Sequence, residues 1–226
     1  MTGRALELQR VSQTRGAGRR AVTALHDASL AVVAGEFVLL EGPSGAGKTT
    51  LLAVAAGLLR PAAGEVTLAG RSLATMSVVE CRRHRAAHVG FVFQRSNLLP
   101  GLTVRENVLL MAAIAGVPHA EGECETTRLL EALGIAALAQ RYPRELSGGE
   151  EQRAAVARAL VHRPSIVLAD EPTGNLDGSS GRAVAEGLAA LAAERGAAVL
   201  VATHDARLEP FATRRVLIVD GRITPQ

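Results

Sequence analysis

Phe37-Val38-Leu39-Leu40, an apolar run of strand type, leads into Gly42-Pro43-Ser44-Gly45-Ala46-Gly47-Lys48-Thr49-Thr50, and that loop opens into the helix-like run Leu51 to Ala56. Strand, glycine-rich loop and helix in that order leave few architectures open. A triphosphate needs several backbone N–H groups turned inward at once, and glycines at 42, 45 and 47 let the backbone curl that tightly. The helix N-terminus adds partial positive charge. Lys48 then reaches the β/γ-phosphates as a compact cation, and the Thr49 hydroxyl can hold Mg²⁺. By its spacing the stretch is a nucleotide-phosphate loop. The 25 basic residues of the chain include a single lysine, Lys48. A planar guanidinium does not fit where backbone cradles a point charge, which accounts for a lysine at this one position.

At 226 residues the chain is long enough for one domain, or a core with an inserted lobe, around a full hydrophobic core. Apolar residues make up 48% and charged residues 21%, which argues against a disordered or fibrous chain. A net charge of +3 is too mild, and an aromatic content of 2% too low, for a base-stacking surface, so no nucleic-acid partner is expected. Cys81 and Cys124 have neither metal nor redox spacing, consistent with a reducing compartment. No leader pattern and no bilayer-length apolar run is apparent. The expectation is a soluble cytoplasmic protein that meets a membrane only through a partner.

Alternating apolar positions predict strands over Leu6 to Val11 and Ala24 to Val33, with an exposed loop Arg15-Gly16-Ala17-Gly18-Arg19-Arg20 between them. Further strands are expected at Glu36 to Glu41, Glu65 to Ala69, Val89 to Phe93, Ile166 to Ala169, Ala197 to Ala202 and Val216 to Val219. Helical periodicity covers Ser77 to Ala87, Val104 to Ala115, Glu125 to Leu133, Ala154 to Val161 and Ala183 to Ala193. Strands alternating with helices imply a parallel sheet with right-handed crossovers. The block from about 96 to 155 reads as an inserted helical lobe, and Asp220-Gly221 as a hairpin turn.

Asp170 and Glu171 follow the apolar run Ile166 to Ala169, so both carboxylates fall at the C-terminal end of a buried strand, the edge where open α/β sheets bind ligands. Asp170 is suited to hold Mg²⁺ through water, and Glu171 to polarise an attacking water. His204 follows the strand run Val199 to Thr203 at the same edge. Position alone leaves it either structural or a γ-phosphate contact. The other five histidines have no such address and are expected at the surface. Leu146-Ser147-Gly148-Gly149 opens a helix and offers a second anion site, otherwise an ordinary helix cap. The run Arg82-Arg83-His84-Arg85 reads as a solvated helix face, with contact to anionic lipid as the minor alternative.

Taken in order, these motifs resemble the ATP-binding cassette ATPases, the nucleotide-binding subunits of ABC transporters, over essentially the whole chain. Leu146 to Gly149 is similar to the signature motif, Gln94 in Phe91-Val92-Phe93-Gln94 to the Q-loop, Gly174-Asn175-Leu176-Asp177 to the D-loop, and His204 to the switch histidine. The resemblance implies an α/β P-loop NTPase: a RecA-like parallel-sheet core at about 1–95 and 156–226, an antiparallel β part at its N-terminus, and a helical lobe at about 96–155. It implies a paired cassette, homodimeric or heterodimeric, with ATP between the phosphate loop (Gly42, Pro43, Ser44, Gly45, Ala46, Gly47, Lys48, Thr49, Thr50) of one copy and Ser147, Gly148 and Gly149 of the other. Thr49, Gln94 and Asp170 are then the Mg²⁺ ligands, Glu171 activates water, and His204 steadies the γ-phosphate.

Residues 93–108 and 169–177 resemble the lipoprotein-releasing and macrolide-export group, with the cell-division ATPase FtsE similar over the same residues. That group implies an integral-membrane permease docked on the lobe near Gln94 to Glu106, at the cytoplasmic face of the membrane. Many cassettes stack adenine on an aromatic residue near the end of the first strand. Here that stretch is Leu8-Gln9-Arg10-Val11, so Arg10 or Val11 is expected to cover the base. A nucleic-acid repair or translation cassette is disfavoured, since those carry long coiled-coil insertions or tandem cassettes. A regulatory module without turnover is disfavoured by the intact Lys48, Asp170, Glu171 and His204.

Overall fold

The structure, a computed structural model, describes residues 3–16 and 22–224. Positions 17–20 of the expected Gly/Arg-rich loop lie outside the described residues. The N-terminal half contains β1 (Arg4–Arg15), β2 (Val22–Val33), β3 (Phe37–Glu41), α1 (Lys48–Ala55), β4 (Ala63–Leu68), β5 (Arg71–Ser72), α2 (Val78–His88) and β6 (Val89–Val92). The helices α3 (Val104–Ile114), α4 (His119–Ala132) and α5 (Gly148–Leu160) follow. The chain then returns to β7 (Ile166–Asp170), α6 (Gly178–Glu194), β8 (Ala198–Ala202), β9 (Arg214–Val219) and β10 (Arg222–Thr224).

Two sheets result. One is antiparallel, in the order β2-β1-β4-β5, and the other runs β10-β9-β3-β8-β7-β6, parallel except for the edge strand β10. The expected α/β architecture with an N-terminal antiparallel part is thus the observed one. The central strands carry apolar residues on both faces, as a parallel sheet covered on both sides requires. In β3, Phe37 and Leu39 pack into the core shared with α3 to α6, whereas Val38 and Leu40 face α1 and the antiparallel sheet. Val167/Ala169 and Ile166/Leu168 divide β7 in the same way. Each such Leu or Val, once fully buried, contributes about 1.5–3 kcal/mol.

Three helices start on reciprocal caps of the form Ser/Thr-x-x-Glu: Ser77 with Glu80, Thr103 with Glu106, and Ser147 with Glu150. α5 runs unbroken through position 155, and its apolar face belongs to the same core as the sheet residues Val92, Val167 and Val199. The Asp220-Gly221 turn joins β9 to β10 with both residues at positive φ, 47° and 74°, as a two-residue hairpin of the twisted kind demands.

Two surface expectations need correction. His84 and His162 are buried: His84 Nε2 lies 2.8 Å from the Leu68 carbonyl oxygen and His162 Nε2 3.1 Å from that of Val89, so each ring has a backbone partner in place of water. Burial pushes the His162 imidazole down to about 4, which keeps it neutral. Arg85 likewise turns inward and donates to the Gly57 carbonyl at 3.0 Å, leaving Arg82 and Arg83 as the exposed part of that basic run.

Glu125 on α4 is the electrostatic tie between the helical block and the rest. Its buried carboxylate accepts hydrogen bonds from Arg128 at 3.0 Å, from Arg163 after α5 at 3.0 Å, and from Arg195 after α6. Burial alone would raise its pKa. The hydrogen bonds from Arg128 and Arg163 and the charge of Arg195 outweigh burial and hold the carboxyl below its ordinary value. Glu125→Gln leaves Arg163 and Arg195 without a counter-charge, while Arg128 keeps Glu194, and is expected to cost about 3 kcal/mol of stability at pH 7. A depressed carboxyl stabilises above the unfolded-state pKa and loses that contribution as pH falls through the folded-state value. The gap in thermal midpoint between wild type and variant should therefore close below about pH 4. A gap independent of pH down to acid unfolding would refute this assignment.

Candidate active site

β3 delivers the chain to Gly42, where φ is 153° and an added Cβ would lie 2.1 Å from the Ile218 carbonyl oxygen. At Gly47 φ is 106°, and a Cβ would lie 2.4 Å from the carbonyl oxygen of Ala24. Only glycine fits either position, so β9 and β2 hold the loop tightly from behind. Gly47 then starts α1 with no side-chain cap, leaving the first-turn N–H groups open at the cleft. Lys48 Nζ donates to the carbonyls of Gly42, at 2.6 Å, and Pro43, at 3.1 Å, and so lies in the hollow of its own loop. An uncapped helix start, a loop curled by obligatory glycines and a cation held at its centre together fit a polyphosphate.

The cleft around this loop has a volume of about 870 Å³. Gly42 to Gly45 and Gly47 to Thr50 line one wall, and Gln94, Asp170, Glu171 and His204 reach it from the other strands. Ala46, by contrast, is buried beneath the loop, with its carbonyl accepting from Gly221 N–H at 3.0 Å. Burial raises the pKa of Asp170, as does the neighbouring Glu171 charge, against the opposing pull of Thr49 and Lys48. Glu171, at φ 45°, is fixed through its N–H to the Ala202 carbonyl at 2.8 Å. Its carboxylate accepts from the Thr203 hydroxyl at 3.2 Å and meets His204 Nδ1 at 2.9 Å. The end of β7 and the residues that follow β7 and β8 thus bring a carboxylate pair and an imidazole to the edge of the sheet beside the glycine-rich loop.

A family model described as ABC transporter matches residues 25–174. The chain belongs to the ABC transporter ATPase family. The cassette is 43% identical, over 99% of its length, to the macrolide export ATP-binding/permease protein MacB of Burkholderia pseudomallei strain 1710b, but spans only 34% of that relative. It is 41% identical to the lipoprotein-releasing system ATP-binding protein LolD of Shewanella sp. strain MR-4, covering 96% of the chain and 94% of the relative. Among solved structures, the dimeric post-hydrolysis state of the cassette MJ0796 bound to ADP and Pi superposes with a TM-score of 0.88 at 35% identity, covering 96% of each chain.

Ser147, Gly148 and Gly149 are not among the residues lining this cleft. They form the start of α5, where the Ser147 hydroxyl donates to Glu150 Oε2 at 2.8 Å. α5 also holds the segment bearing Gln94. Gln152 Nε2 donates to the Phe93 carbonyl at 2.9 Å, Ser96 donates to Glu151 at 2.8 Å, and Arg158 donates to the carbonyls of Ser96 and Asn97 at 2.6 and 2.7 Å. The signature helix and the Gln94 segment are therefore one mechanical unit, a link that short-range spacing did not reveal.

Val11 does not reach the cleft. It is fully buried in the core beneath the antiparallel sheet, and Arg10 points outward with its N–H on Ser29 Oγ at 2.9 Å. β1 continues four residues beyond Val11, past an irregularity at Arg10 where φ is 48°, and it is Arg15 that arrives at the mouth of the cleft, with Val22 and His26 of β2.

Proposed function

We propose that this cassette drives an integral-membrane permease of the lipoprotein-release or macrolide-export kind from the cytoplasmic face of the membrane, working as a pair of cassettes with ATP between them. The observation that carries the pairing is the separation just described. Lys48, Asp170, Glu171 and His204 share one cleft, while Ser147 to Gly149 open a helix outside it, so a second copy must complete the site. Such a pair is isologous, each copy lending its signature turn to the other.

In this reading Lys48 and the open amides of α1 hold the β- and γ-phosphates. Thr49, Asp170 and Gln94 would hold Mg²⁺, whose charge offsets that developing on the transferred phosphoryl group. Glu171 takes the proton of the attacking water. His204, with a side chain 79% exposed, swings from Glu171 to the γ-phosphate. Arg15 lies against the base in place of an aromatic ring, contributing through its planar face. Such a contact discriminates little between purines. ATP and GTP should compete for the site within about fivefold of each other, and Arg15→Ala should weaken both by a similar factor. A competition series in which ATP outcompetes GTP strongly would exclude this assignment.

The permease docks, in this proposal, in a groove of about 650 Å³ between α2, the Gln94 segment and α3. Leu58, Val79, Leu99, Leu110 and Ile114 leave apolar surface exposed there, with Arg82 and Arg83 on the rim, a match for an amphipathic segment bearing carboxylates. The test is affinity purification of the Glu171→Gln variant from solubilised native membranes with Mg·ATP. Recovery of a few-span permease with a large extracytoplasmic domain supports the proposal. A many-span permease points to a conventional transporter, and no membrane protein at all points to a soluble role.

A further inference from the structure

Arg207, in the short 3₁₀ segment after His204, has no place in the chemistry above, yet its side chain bonds both to Asp205 beside His204 and to the segment that follows Glu171. Its Nε donates to both oxygens of Asp205, at 2.9 and 2.8 Å, and Nη2 lies 2.6 Å from Asp205 Oδ2. Nη2 also donates to the Thr173 carbonyl at 2.9 Å and Nη1 to the Asp177 carbonyl at 2.8 Å. Asp205 in turn accepts from the Thr173 hydroxyl, and its N–H donates to Thr203 Oγ1 at 3.0 Å. Thr203 is the residue whose hydroxyl fixes Glu171.

We infer that Arg207 is a positioning residue that straps the loop carrying Glu171 (170–177) to the loop carrying His204 (203–207), so that the two backbone segments move as one body while the imidazole stays free to turn. This rests on the roles given above to Glu171 and His204. Only a planar fork can meet Asp205 and two separate carbonyls at once. The fold reserves space for it. Gly181 lies on the first turns of α6, and an added Cβ there would stand 2.0 Å from Arg207 Nη1 and 2.4 Å from its Cζ. Any side chain at 181 displaces the guanidinium.

Gly181→Ala supplies the test, because alanine is the better helix former and the atoms it strikes are the flexible end of a side chain. Arg207 is then intact but dislodged. Both Gly181→Ala and Arg207→Lys should still unfold cooperatively well above the assay temperature, and kcat for ATP hydrolysis should fall about tenfold or more while KM for ATP stays within about twofold. Hydrogen exchange at the amides of 174–177 in nucleotide-free protein should quicken in both variants. Unchanged kcat in a folded Gly181→Ala variant, or unchanged exchange, overturns the strap. The exchange readout needs no turnover, so a wild-type chain that failed to hydrolyse ATP would defeat the roles of Glu171 and His204 while the strap was still decided on its own.

Discussion

Glu171→Gln is expected to lower kcat for ATP hydrolysis by about 10² to 10³-fold while leaving ATP affinity nearly unchanged. The substitution keeps shape and packing. Glutamine Oε1 can accept the Thr203 hydroxyl as the carboxylate does, and the backbone N–H to the Ala202 carbonyl is untouched. What disappears is the capacity to accept a proton from water. An interaction needed only in the transition state lowers kcat and kcat/KM together, so KM should stay level. Because bound ATP is no longer turned over, ATP, but not ADP, should shift the variant from monomer to dimer in size-exclusion chromatography. Single-turnover phosphate release gives the rate directly. A variant within tenfold of wild type would remove Glu171 as the base and leave His204 as the residue to examine.

What the sequence made legible follows from range. Strand, loop and helix around Lys48 and the carboxylates at the end of β7 each depend on residues within a few positions of one another, and formed where expected. The full length of β1 was hidden because the irregularity at Arg10 breaks the two-residue alternation. That break ended the expected strand at Val11, four residues early, and concealed the reach of Arg15 to the cleft. The buried histidines were invisible for another reason: a histidine is polar in composition but satisfied in the core once a carbonyl 16 residues away, as for His84, or 73 away, as for His162, turns towards it. Likewise Gln152 holds the Phe93 carbonyl across 59 residues of sequence, and Arg207 reaches Thr173 across 34. Contacts of that span arise only from tertiary packing. They tie the segments of the site to one another, whereas the short motifs place its individual groups.

Lys48→Arg is expected to be as damaging as Lys48→Ala, with ATP and ADP affinity reduced by about 10- to 100-fold, the range set by losing one charge-assisted phosphate contact. Conservation of charge gives no protection here. The ammonium sits 2.6 Å from the Gly42 carbonyl and 3.1 Å from that of Pro43, inside a loop whose back is closed by Ile218 at Gly42 and by Ala24 at Gly47. A guanidinium is wider, and its donors diverge at fixed angles in one plane, so it cannot enter that hollow without pushing the loop amides off the phosphates. The loop cannot widen to admit it, since both glycines already touch carbonyl oxygens behind them. Because the side chain contributes little to the core, the variant should unfold at the wild-type temperature, which separates lost binding from lost folding. Equilibrium titration with ATP and ADP is the measurement. Affinity within threefold of wild type would mean that the amides and helix N-terminus alone hold the phosphates, and that the lone lysine among 25 basic residues is an accident of composition.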